Sequence, residues 1–172
     1  MAKIIGFPDE VNDVAARTVA SGVVTIVVVA LATRTAWLAP VLAGGFIARV
    51  LSGPRFSLLG QLATKVVAPR LPQYAKTVPG PPKRFAQGIG AAFSLAATGL
   101  WLDGDGLAAL VVLAVLAVPA LLEASVGYCL GCKMFGMLMH VGVIPESTCE
   151  ACGDLWGAKA RERALTTSHQ VG

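Results

Sequence analysis

FAQGIGAAFSLAATGLWLDGDGLAALVVLAVLAVPALLE, residues 85 to 123, is two apolar runs joined by the connector DGDG. A helix needs about 20 apolar residues to cross a hydrocarbon core, and each run comes close to that length. The connector can do little more than reverse the chain, so the stretch reads as a helical hairpin with spans at about 85–102 and 107–123. Pro119 is a candidate kink, and Glu123 stands at the far end of the second span. Upstream the pattern recurs: VAARTVASGVVTIVVVALA and WLAPVLAGGFIARVL, at about 14–32 and 37–51, are joined by TRTA. The latter run is short, with Pro40 in its first turn and Arg49 placed to snorkel at its end.

Composition agrees with a membrane reading. The chain is 55% hydrophobic and 14% charged, where a soluble domain carries about 25% charged residues, and its mean hydropathy is +0.70. Ala, Val, Leu and Gly dominate the apolar part, which favours close helix packing in lipid over a core of large side chains. In the third span Gly88, Gly90, Ala92, Ser94, Ala96 and Ala97 form overlapping small-residue spacings that mark a packing face, inside the monomer or across a dimer.

The net charge of +4 does not call for nucleic acid, because cytoplasmic loops of a membrane protein collect the same excess. Between the hairpins, residues 52–84 hold Arg55, Lys65, Arg70, Lys76, Lys83 and Arg84 and no acid. Keeping that segment inside puts 13 of the 14 Lys and Arg residues on the cytoplasmic side and leaves Arg34 outside. Both termini and every cysteine then face the cytoplasm. The N-terminus, MAKIIGFPDEVNDVAART, lacks the pattern of a removable signal peptide. Within the basic segment Phe56, Leu59, Leu62, Ala63, Val66 and Val67 recur at helical spacing, which predicts either a helix in the headgroup layer or a solvated loop that attracts anionic lipid. VPGPPKR reads as a stiff return to the third span.

All four cysteines lie between residues 129 and 152, as the pairs Cys129/Cys132 and Cys149/Cys152. The first pair shares a helix face whether the fourth span continues or a new helix begins after Gly127. The run Met134 to Met139 that follows is apolar nearly all round and therefore buried, and a further helix is expected from Pro145. Two chemistries fit. Sixteen residues between the pairs suit a tetrahedral zinc site on Cys129, Cys132, Cys149 and Cys152, with Lys133 offsetting excess thiolate charge. Alternatively YCLGCKM, residues 128–134, resembles the aromatic-Cys-x-x-Cys-Lys run of thioredoxins, where a helix N-terminus turns the first cysteine into a thiolate. No βαβ pattern surrounds it, and Gly131 stands where thioredoxins carry Pro. A cytosol-facing disulfide would be transient and functional rather than a staple.

GPRFSLLGQLATKVVAPRL (residues 53–71), VPGPPKRFAQGIGAAFSLA (78–96) and GYCLGCKMFGMLMHVGVIPESTCEAC (127–152) together resemble the bacterial membrane family named domain of unknown function 4395. The resemblance extends from the first span to Cys152. It implies a small multi-pass protein with four cysteines, no established activity, and neighbours that are thioredoxin-like or sulfurtransferase proteins.

Other polar residues have plainer readings. Glu123 is a candidate proton acceptor for a thiol, or a carboxylate paired with Arg84 or Arg49. His140 is a candidate base or alternative ligand, or an interfacial residue. Asp103 and Asp105 match only the start of a calcium loop and read as a turn. Trp37 and Trp101 flank the outer ends of the hairpins as anchors. No phosphate loop, Ser/His/Asp set or polar row through the spans is present.

The expected architecture is an all-α integral membrane protein with four transmembrane helices in two hairpins and one interfacial amphipathic helix. Residues 1–126 form the membrane domain, 127–156 a cytoplasmic four-cysteine cap and 157–172 a polar tail. Three functions fit it. A thiol site would use Cys129 as nucleophile and Cys132 as resolving thiol, exchanging disulfide or sulfane sulfur with a thioredoxin-like or rhodanese-like partner. A zinc cap would serve a scaffold or accessory subunit of a larger membrane complex, and a transporter would carry a small sulfur species.

Overall fold

The computed structural model describes residues 10–53, 57–70 and 77–144. Cys149, Cys152, the helix expected at Pro145 and the polar tail lie outside the described residues. The described chain is mostly helical, and three helices are long and apolar enough to cross a membrane: α1 (Asp13–Thr33), α4 (Gly80–Leu102) and α5 (Gly106–Val126). Helix α2 (Leu38–Ser52) has 15 residues, about 22 Å of helix against a hydrocarbon core of about 30 Å.

Local chemistry sets the ends of these helices. Asn12 caps α1 by accepting from the backbone N–H groups of Val14 and Ala15, at 2.9 and 3.4 Å. Arg34 closes it in a left-handed conformation (φ 53°). Asp105 caps α5 through Ala108 N–H at 2.9 Å, and α5 runs through Pro119 to end at Gly127 (φ 71°), where a side chain would be strained. Helix α4 begins five residues earlier than the apolar run suggested. Pro81 and Pro82 sit in its first turn, where the fixed φ suits a helix and the missing N–H has no partner to lose, so PPKR is helix and not a stiff connector.

A short antiparallel pair, β1 (Glu10–Asn12) with β2 (Thr77–Pro79), joins the entries of α1 and α4, with Val11 opposite Val78. No feature of the sequence announced it. The pair places the first turns of α1 and α4 side by side.

Helix α5 lies between α1 and α4, and α2 packs mainly on α4. The arms of the first hairpin therefore meet the second hairpin more than each other. The core is built from Val23, Val27 and Ala30 of α1, Leu42 and Phe46 of α2, Ala97 of α4 and Leu113 and Leu116 of α5. Gly90 makes room for Phe46 of α2 on α4: a Cβ there would sit 2.3 Å from the Phe46 ring. The buried members of the small-residue row, Gly90, Ser94 and Ala97, thus face contacts inside the monomer, while Ala92 and Ala96 are exposed.

The basic segment departs from a single interfacial helix. Helix α3 (Leu58–Leu62) passes into a π-type turn at Ala63–Val67 and a 3₁₀ turn at Ala68–Arg70. Ala63 and Leu59 pack on Ala15 and Val19 of α1, whereas Leu58, Leu62 and Val66 are exposed. The predicted apolar face is thus split: Leu59 and Ala63 lie on α1, and Leu62 and Val66 do not.

Candidate functional site

Gly127 reverses the chain at the end of α5, and Arg17 of α1 secures that end by donating from Nη2 to the Ser125 carbonyl at 2.6 Å. After this turn a new helix, α6 (Leu130–His140), starts with Cys129 as its N-cap residue. Two contacts dock it on α4. Gly131 lies so close that a Cβ would stand 2.6 Å from the Ala86 Cβ and 2.8 Å from its Cα. One turn on, Phe135 is buried against Phe85, ring centroids 5.7 Å apart. The position held by Pro in thioredoxins is Gly here because α6 meets the α4 backbone. Burial of the Met134–Met139 run is partial: Phe135 and Gly136 are covered, and Met134 and Met137 are exposed.

Cys129 and Cys132 are both half-buried and not joined by a disulfide. The neighbouring Cys132 thiol, whose S–H favours a thiolate on Cys129, is the main influence holding the Cys129 thiol below its ordinary range. Burial and the Glu123 carboxylate oppose that shift, and the Lys83 ammonium supports it. Cys132 is pushed far up, first by the same interaction with Cys129 and then by burial. One thiol is set to ionise and its neighbour to keep its proton.

Beneath the pair, Lys83 is 5% exposed, donates to Glu123 Oε1 and has Asp13 Oδ1 at 3.8 Å. The Glu123 partner is therefore neither Arg84 nor Arg49. Arg84 donates to the Val50 carbonyl at 3.1 Å, and Arg49 is turned inward instead of snorkelling. A cavity of about 160 Å³ lies against the thiols, lined by Asp13, Pro82, Lys83, Gly127, Tyr128, Cys129, Cys132 and Lys133. The Lys133 ammonium is 5.9 Å from the Tyr128 ring centroid. Sequence reasoning missed Asp13 and treated Lys83 as loop charge; Pro-Pro-Lys as a helix first turn was the signal that could have placed it.

His140 is exposed at the far end of α6, about 15 Å along the helix from Cys129, and is not brought to the thiols. Among the described residues no group of three or more His, Cys, Asp and Glu side chains is placed to hold a metal ion. Two of the four ligands in the zinc reading fall outside those residues.

Residues 11–140 match the family described as Domain of unknown function (DUF4395). The chain belongs to this family. Its match ends at His140, so it includes Cys129 and Cys132 and stops before the second pair, a shorter reach than the sequence resemblance suggested. No curated protein and no solved structure matches the chain.

Proposed function

We propose that this member of the family is a multi-pass protein of the bacterial cytoplasmic membrane with both termini inside, α2 serving as a fourth span. In this reading Cys129 and Cys132 form a thiol site that exchanges disulfide or sulfane sulfur with a soluble thioredoxin-like or rhodanese-like partner. One observation carries it: Cys129 stands at the N-terminus of α6, three residues from Cys132, and both thiols border a cavity with the buried Lys83. A helix N-terminus and a nearby cation both favour a thiolate.

The chemistry balances without a cofactor. Cys129 thiolate attacks a sulfur of the partner's disulfide, forming a mixed disulfide and releasing one partner thiolate. Cys132, on losing its proton, attacks Cys129 Sγ and releases the second thiolate. Two electrons pass to the partner, and a Cys129–Cys132 disulfide remains. With a persulfide donor, Cys129 takes the terminal sulfur and the donor leaves as a thiolate.

The zinc cap is the second reading, favoured by the sixteen-residue spacing between the pairs. Metal analysis of the detergent-purified chain, with thiols counted by alkylation before and after chelation, separates the two. Thiol exchange predicts metal-free protein in which Cys129 reacts fastest. Stoichiometric zinc, with all four thiols protected until chelation, would overturn it.

A further inference from the structure

The bundle buries a second cation at the same end, and among the described residues this one has no carboxylate partner. Arg49, in the last turn of α2, is 4% exposed. Its Nε donates to Gln87 Oε1 at 2.8 Å and its Nη1 to Ser57 Oγ at 3.0 Å, while the Phe46 ring centroid lies 4.5 Å from the guanidinium carbon. Every one of these partners is neutral. Nη2 is buried and has no hydrogen-bond partner among the described residues, and no carboxylate lies within 4.0 Å of the guanidinium among them. Burying a charge is expensive unless a counter-charge and hydrogen bonds accompany it.

Arg49 also lines a cavity of about 40 Å³, together with Ala16, Thr64, Gln87 and Lys83. One water needs about 10–15 Å³ of such space, so the cavity holds several water-sized atoms. Its other cation, Lys83, is paired with Glu123. A buried guanidinium with neutral partners and an unused pair of N–H donors, beside a space of this size, is complementary to one anionic group with several acceptor oxygens. We infer that Arg49 and the cavity it lines bind a single small oxyanion, of the phosphate or sulfate type, between α1, α2 and α4. The inference does not depend on the thiol reading. The same chemistry is offered by a free inorganic anion and by a lipid headgroup phosphate, and the test below distinguishes them.

The full chain, delipidated in a zwitterionic detergent, is titrated with phosphate and with sulfate against chloride of matched ionic strength while thermal unfolding is followed. Saturable stabilisation by the oxyanions of a few degrees beyond chloride is expected, and Arg49→Gln should abolish it. Ala16→Leu fills the cavity and leaves Arg49 with its partners, so it should also remove the response and serves if Arg49→Gln does not fold. In a parallel arm phosphatidylglycerol is added to the micelles. If that lipid stabilises the protein and suppresses the response to free phosphate, the occupant is a headgroup phosphate; a response to the free ions alone identifies a solute. A wild-type response equal to that in chloride and unaffected by the lipid would refute the site, as would full binding by Ala16→Leu.

Discussion

Lys83 and Glu123, forty positions apart, are joined by a hydrogen-bonded ion pair between α4 and α5, close enough for both charges to act on Cys129. The two charges act on the thiol in opposite senses, the ammonium favouring its ionisation and the carboxylate resisting it. Lys83→Met should therefore slow alkylation of Cys129 at neutral pH, and Glu123→Gln should speed it. Stability should respond unequally. Lys83→Met strands a buried carboxylate, at about 3–5 kcal/mol for a broken buried pair, whereas Glu123→Gln leaves Lys83 with Asp13 at 3.8 Å. Iodoacetamide kinetics and thermal unfolding of both variants check this, and rate changes of the same sign in both would contradict it.

Much of the architecture was legible because hydropathy reports which residues avoid water. The extents of α1, α2 and α5 follow their apolar runs within a few residues. The break at Gly127 was one of two readings open for the cysteines, and the left-handed glycine resolves it. Partner choice was not legible. Lys83 and Arg49 are basic residues in or beside a positive segment, and charge bias alone assigns them to headgroups. Only the β1–β2 pair and the close packing of α2 on α4 turn them inward. The second cysteine pair lies outside the described residues, so the spacing argument for zinc keeps the weight it had in the sequence.

The pH dependence of thiol reactivity should separate the two cysteines. With the Cys129 thiol below its ordinary range, its alkylation should reach its plateau at a lower pH than that of a free thiol and fall about tenfold per unit on the acid side of its pKa. Cys132, pushed up, should stay unreactive into the alkaline range while Cys129 is reduced. Cys132→Ala removes the leading cause of the Cys129 shift and should move its profile to higher pH. Mass-resolved alkylation from acid to alkaline pH reads all three, and superimposable profiles for the two thiols would defeat the assignment.

Gly131 makes a separate prediction about how α6 is held. A methyl group there meets Ala86 Cα at 2.8 Å, a backbone atom that cannot rotate aside. Gly131→Ala should push the start of α6 off α4, with a loss of about 1–3 kcal/mol typical of overpacking. Hydrogen exchange should rise through α6 while the α4–α5 hairpin stays protected. Gly131→Pro, which makes the motif more like that of a thioredoxin, should be no better tolerated. Unchanged exchange in α6 would mean that the approach of Gly131 to Ala86 does not hold the helix.

The proposed orientation depends on which end of the bundle carries the thiols. Arg34, Trp37 and the Asp103–Asp105 turn lie at the opposite ends of their helices from Asp13, Lys83 and Glu123. The acid-free segment between the hairpins belongs to the thiol end, and basic segments are retained in the cytoplasm. In a background without other cysteines, a membrane-impermeant maleimide applied to intact cells should label Asp103→Cys and spare Cys129, and permeabilisation should make Cys129 reactive. A soluble cytoplasmic partner requires that result. Labelling of Cys129 from outside would reverse the bundle, place the thiols in an oxidising compartment and remove the reducing environment on which the exchange reading rests.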